Sequence, residues 1–147
     1  MTLPIALVAA AALLAVTILA GVLLRRRDGR GVAVAGDLHV DPADLPTALG
    51  ARATLVQFST EFCARCPHVR RLLGHIAAER PGVVHADVDL THRADLASRY
   101  RVLSTPTTLL VDPDGRIRSR FTGVPTRAAV LAALDGADHT YAQEDRS

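Results

Sequence analysis

The chain has 147 residues, 49% of them hydrophobic and 22% charged, and two cysteines. It has room for one ordinary domain with an appendage, is too apolar for general disorder, and has too few cysteines for a multi-disulfide scaffold or a four-cysteine zinc site. The net charge of +2 divides into +3 over residues 1–30 and −1 over residues 31–147, so the globular part offers no strongly basic surface and nucleic-acid binding is not expected.

Leu3–Leu24 spans 22 residues without a charge. As a helix it would be roughly 33 Å long, against a bilayer core of about 30 Å. Pro4 falls in the first turn, where its missing N–H costs nothing, and Gly21 is common in membrane helices. Thr17 can return its hydroxyl to the backbone. A cleaved signal peptide is the competing reading. Its n-region would be Met-Thr-Leu-Pro, without a charged side chain, and the apolar core is longer than such signals use. A retained single-pass anchor over residues 1–27 is therefore expected. Arg25, Arg26, Arg27 and Arg30 follow it, and the positive-inside rule then puts the C-terminal side in the cytoplasm. The extracytoplasmic side is the alternative.

Residues 28–40 read as a linker, with 28–36 a flexible tether. Residues 41–136 read as the domain and 137–147 as a polar tail that frays. Asp41 and Pro42 predict a helix start, with the helix running to Ala48 or Leu49. Thr54–Ser59 is a buried strand by composition. Val69, Leu72, Leu73, Ile76 and Ala77 predict a helix over 64–79, ended by Pro81-Gly82. Val83–Leu90 alternates as a strand, and Arg93–Tyr100 is helical. Pro106–Val111 and Arg116–Phe121 are strands joined by an Asp112–Gly115 turn. Thr126 caps a last helix to Leu134. This order predicts an α/β fold, a three-layer α/β/α packing around a mixed central sheet, preceded by one transmembrane helix.

All 17 basic residues are arginine, which excludes lysine Schiff bases and a Walker-type phosphate loop. The chemistry-bearing feature is Cys63-Ala64-Arg65-Cys66, between a buried strand and a helix. A helix N-terminus presents unpaired N–H groups and a positive dipole end, which stabilise a thiolate. Cys63, on the turn, is expected to be the nucleophile. Cys66, further in, is expected to be the resolving thiol. Arg65 adds positive charge near both sulfurs. Two inert buried cysteines are the competing reading.

The stretches TLVQFSTEFCARC, Val88–Leu90, Ser104-Thr105-Pro106-Thr107 and Thr122-Gly123 follow one another in a familiar order and spacing. From about Thr54 to Leu134 the sequence resembles the thioredoxin family. As a whole it is similar to small membrane-anchored thioredoxin-like proteins of high-GC bacteria. The resemblance implies a thioredoxin-like fold and a thiol–disulfide oxidoreductase with no cofactor beyond the Cys63–Cys66 couple. It implies a cis Thr105–Pro106 bond facing the cysteines and serving as a substrate platform. The implied partners are protein thiols or disulfides and an upstream electron donor, such as a thioredoxin reductase-like enzyme or a membrane thiol carrier.

Several positions depart from the family pattern. Phe62 replaces the usual Trp, keeping an apolar lip and losing the indole donor. Ala64-Arg65 replaces Gly-Pro, and Pro67 intrudes into the first helical turn. The family's buried carboxylate falls on Gln57, and its lysine partner falls on His85. Since Gln57 cannot act as a base, a proton from Cys66 would go to His85, to water or to Glu61.

A cytoplasmic domain would reduce its substrates. Outside the membrane, oxidation, isomerisation or reduction for cytochrome assembly become open. Two other classes compete: metal handling by Cys63, Cys66 and His68, and a tethered binding module without turnover. Haem attachment is excluded by Pro67, which stands where that motif needs His. No metal site is expected. His39, His75, His92 and His139 show no partner pattern, and Asp87 and Asp89 read as strand-end and capping groups.

Overall fold

The computed structural model describes residues 2–27 and 29–144. The β-branched run Ala53–Ser59 (β2) is buried at all seven positions, as a central strand covered on both faces must be. It pairs in parallel with Val83–Asp89 (β3) and antiparallel with Thr107–Val111 (β4). Ile117–Thr122 (β5) pairs antiparallel with β4, and Gly31–Ala33 (β1) with β5, giving the sheet order β1-β5-β4-β2-β3. The registers Phe58↔Thr107, Thr107↔Thr122 and Gly31↔Phe121 bring one end of four strands together.

Strand alternation then sorts the core into two layers. Leu55, Leu110 and Phe121 face Cys66–Glu79 (α2) and Arg127–Glu144 (α4), whose Val69, Leu73, Ile76, Val130 and Leu134 close that side. Val56, Phe58, Leu109 and Val111 face Leu96 and Tyr100 at the helix Ala94–Arg99 (α3). The expected three-layer α/β/α arrangement is formed. An N-terminal helix, Thr2–Arg27 (α1), precedes it. Its Pro4–Leu24 stretch is long and apolar enough to cross a membrane, and none of it is buried within the described protein. Thr17 Oγ1 donates to the Leu13 carbonyl at 2.7 Å.

Part of the expected tether is strand. Gly29 N–H donates to the Thr122 carbonyl at 2.8 Å, Val34 N–H to Arg118 at 3.0 Å and Val40 N–H to Gly115 at 2.7 Å. The free edge of β5 leaves backbone groups that need partners, and this segment supplies them. Gly31 is suited to the place because a Cβ there would lie 2.6 Å from the Phe121 ring.

The helix expected over 41–49 is a single 3-10 turn, Pro42–Asp44. Asp41 caps it as expected, accepting from Ala43 N–H at 2.9 Å. Pro46 ends it by forcing Leu45 into extended backbone, φ −98° and ψ 145°. Helix α2 begins at Cys66 rather than 64, with Pro67 in its first turn, where an N–H has no helical partner to lose. Thr126 Oγ1 accepts from Ala129 N–H at 3.2 Å, as a cap should. Helix α4 continues to Glu144, through the expected tail. That stretch holds no proline, and its polar composition hides the helical period.

The Tyr100 hydroxyl accepts from Asp41 N–H at 3.1 Å and donates to Asp44 Oδ2 at 2.6 Å. That bond, and Arg99 after it, hold the Asp44 carboxyl below its usual range against the opposing pull of burial. Tyr100→Phe keeps the stack on the Phe58 ring, takes the partner from Asp41 N–H and leaves Asp44 to Arg99 alone. It should cost about 2 kcal/mol, read as a lowered urea midpoint with an unchanged slope.

Candidate functional site

The cysteines lie at the strand end shared by β2, β4 and β5. Cys63 N–H donates to the Thr60 carbonyl and Cys66 N–H to the Cys63 carbonyl, each at 3.2 Å, so a tight turn carries the chain from β2 into α2. The two sulfurs form a disulfide, with Cα atoms 5.4 Å apart. Cys66 is 2% exposed, whereas Cys63 is partly exposed. Arg65 is exposed at the N-cap position of α2.

A surface groove of about 470 Å³ opens beside Cys63, and Phe62, Arg65, Ser104, Thr105 and Gly123 are among its walls. Thr105–Pro106 is cis. Pro106 is buried, and its carbonyl accepts from Gly123 N–H at 2.9 Å, which ties the β4 side of the groove to the β5 side. Thr107 Oγ1 donates to the Ser104 carbonyl at 2.7 Å, and the hydroxyls of Thr60 and Thr105 meet at 3.3 Å. Phe62 is 88% exposed and Leu103, next to the groove residue Ser104, is 97% exposed, so two apolar side chains stand at and beside a groove lined largely by hydroxyls and Arg65. Thr60 and Leu103 escaped the sequence reading, since a loop threonine and a single leucine carry no pattern.

Gln57 is fully buried beneath the cysteines. Its Nε2 donates to the Cys66 carbonyl at 3.0 Å, and its Oε1 lies 3.1 Å from His85 Nε2. The carbonyl can only accept, which fixes the amide orientation, and Oε1 can only accept, which places the proton on His85 Nε2. Neutral His85 then keeps Nδ1 as a base. Burial pushes the His85 pKa down, with Arg70 adding to it and Asp87 opposing.

Asp87 accepts from Ser59 Oγ at 2.7 Å and from Arg70 Nε at 2.6 Å. Near the end of β3, it faces α2, on the same side of the strand as His85. The residue parity of β3 carried that signal. Asp89 accepts from Thr91 N–H at 2.8 Å and does close the turn before α3. Glu61 is exposed, and its N–H is held by Thr91 Oγ1 at 3.0 Å, away from the Gln57–His85 pair. Among the described residues no three His, Cys, Asp or Glu side chains gather as a metal site. Thr108 Oγ1 is buried without a partner on the strand position paired with Gln57.

The chain matches the thioredoxin family model over residues 43–136 and belongs to that family. It is 33% identical to a thioredoxin of Mycolicibacterium smegmatis over 90 residues, which are 59% of this chain and 80% of that one. To a thioredoxin of Methanocaldococcus jannaschii it is 26% identical over 78 residues, 52% of this chain and 86% of that one. The Fasciola hepatica thioredoxin structure superposes with a TM-score of 0.52 at 24% identity, covering 60% of this chain and 83% of that one. The oxidised mitochondrial thioredoxin 3 of Saccharomyces cerevisiae gives 0.51 at 20%, covering 58% and 78%. With its C-x-x-C disulfide, the chain is a thiol–disulfide oxidoreductase of this family.

A lowered His85 pKa means that the folded state binds fewer protons than the unfolded chain between the folded value and about 6.5. Stability from this group is complete above that window and falls as pH drops through it. Denaturant midpoints of the wild type should therefore decline more steeply from neutral to mildly acid pH than those of His85→Gln. Thr108→Val keeps the shape and removes an unpaired buried hydroxyl. It should raise stability by about 1 kcal/mol.

Proposed function

We propose that the chain is a membrane-tethered protein disulfide reductase with its catalytic domain in the cytoplasm. The observation that carries the reading is the placement of the two sulfurs: Cys63 reachable at a surface groove, Cys66 covered behind it. In the dithiol form, the Cys63 thiolate attacks a substrate disulfide. A mixed disulfide forms and the first substrate sulfur leaves as a thiolate. The Cys66 thiolate then attacks the Cys63 sulfur, closing the intramolecular disulfide and releasing the second substrate thiol. Two electrons and two protons pass to the substrate. An upstream dithiol donor, either a thioredoxin reductase-like enzyme or a membrane thiol carrier, restores the couple. No cofactor is required by this sequence of steps.

The N-terminal end of α2 and Arg65 favour the Cys63 thiolate. Thr105 and Pro106 supply the platform for an extended substrate segment, with Phe62 as its apolar lip. Of the three relay residues considered, Gln57 positions His85 but passes no proton, since it accepts from His85 Nε2–H and donates to the Cys66 carbonyl; His85 takes the Cys66 proton at Nδ1, through water. Glu61 stands away from that pair. The apolar α1 helix supports the tether, and the arginines after it support the cytoplasmic side.

Insulin reduction driven by dithiothreitol should fall to background in Cys63→Ser. Cys66→Ser should accumulate mixed disulfides. A wild type that does not turn over would make the chain a binding module instead. His85→Gln keeps a donor to Gln57 and removes the titrating ring. Its resolving step should slow at neutral pH and become dependent on hydroxide. An unchanged pH profile would remove His85 from the relay. The midpoint potential of the full chain should lie near about −270 mV, as for a reductant; a value of about −120 to −180 mV would move the domain outside the membrane and reverse electron flow. Labelling of the cysteines by a membrane-impermeant thiol reagent on intact cells would do the same.

A further inference from the structure

The anchor joins the domain at the catalytic end of its sheet. Helix α1 runs to Arg27, and Gly29 N–H is already bonded to the carbonyl of Thr122, a residue of the groove wall. Strand β1 then runs away from the groove along β5, from Gly31 beside Phe121 to Ala33 beside Ser119. From Leu24, the end of the apolar span, to Arg27 is about 4.5 Å of helix. Two Cα steps from Arg27 to Gly29 add at most about 7.6 Å, whatever path they take. Gly29, and the groove wall it holds, thus stand within about 12 Å of the end of the span. The headgroup layer alone accounts for about 5–7 Å of that.

Gly29 is held firmly on the domain. Gly29 has φ +78°, and a Cβ on it would lie 2.1 Å from the Val124 carbonyl oxygen. The Asp112–Gly115 turn lies at the far end of β5, roughly 20 Å along the strand from the groove. A folded soluble substrate of about 100 residues, with a radius of gyration near 13 Å, must come to a groove at such a height from the side away from the membrane. A short extended segment emerging from the bilayer fits.

On the reading of α1 as a membrane span, we infer that the groove serves disulfides of a second integral membrane protein, in extended segments within a few residues of its own span. Exposed Phe62 on the groove wall, exposed Leu103 beside it and a wall without acidic residues suit such a segment, which lies at the edge of an apolar phase.

The test uses the full chain in vesicles of phosphatidylcholine and phosphatidylglycerol, reduced with dithiothreitol and then freed of it. The probes are two transmembrane peptides bearing a disulfide-linked fluorophore. In one the disulfide lies two residues outside the span; in the other it sits on a flexible stalk that holds it roughly 40 Å away. The near probe should be reduced at least about tenfold faster, since its effective concentration at the groove is higher. Inserting about 15 Gly/Ser residues after Arg27 should abolish the preference. The variant's unchanged reduction of oxidised glutathione would show that its site is intact. Equal or faster reduction of the far probe, or a preference that survives the insertion, overturns the inference while leaving the anchor in place. A chain that fails to float with the vesicles overturns the anchor and the inference together.

Discussion

Double-edged pairing of β2 is the constraint from which the site follows. With β3 on one edge, β4 on the other and a helical layer on each face, the strand has no freedom to slide. A slip of one residue would turn Gln57 toward the α3 layer and bring Phe58 beneath the cysteines. The fixed register puts Ser59 at the strand end, the turn at 60–65 directly after it, and α2 back across the same face. Cys63 and Cys66 are thereby delivered to a place where β4 presents Pro106 and β5 presents Gly123.

Beneath them the protein buries an amide where the family keeps a carboxylate. An unpaired buried amide costs roughly 2–7 kcal/mol, and a buried charge far more. Gln57 avoids both penalties through its bonds to the Cys66 carbonyl and to His85. One strand outward stands the His85 ring, with Asp87 and Arg70 acting on it. The local charge lies at the margin of the core, where Ser59 and Arg70 satisfy the carboxylate. Only the Thr108 hydroxyl, among the described side chains, stays buried without a partner.

Much of this was legible in the chain. Composition located β2, the 3.6-residue period α2, alternation β3 and the Asp112–Gly115 turn β4 and β5, each to within about two residues. The C-x-x-C pair and the Thr-Pro opening β4 marked the site. Elements without such a signal were missed or misjudged. Strand β1 is Gly-Val-Ala, three residues whose only role is to satisfy the backbone edge of β5. The end of α4 is polar and shows no stripe. The helix at 42 looked longer than it is because the restriction imposed by Pro46 outweighed the cap at Asp41. In the site, the Arg70–Asp87 pair joins residues 17 apart across two elements and needs the register to be seen.

The brevity of the join between α1 and β1 also bears on proteolysis. A protease needs several residues of extended, accessible chain. Between Arg27 and the first sheet hydrogen bond at Gly29 there is almost none. Cutting further along, within 31–40, would strip the partner from β5 and expose an unpaired edge, which invites self-association. The domain is thus poorly suited to release as a circulating fragment, and a soluble version truncated at residue 37 would lack its edge strand. A version beginning at Gly29 keeps the sheet whole.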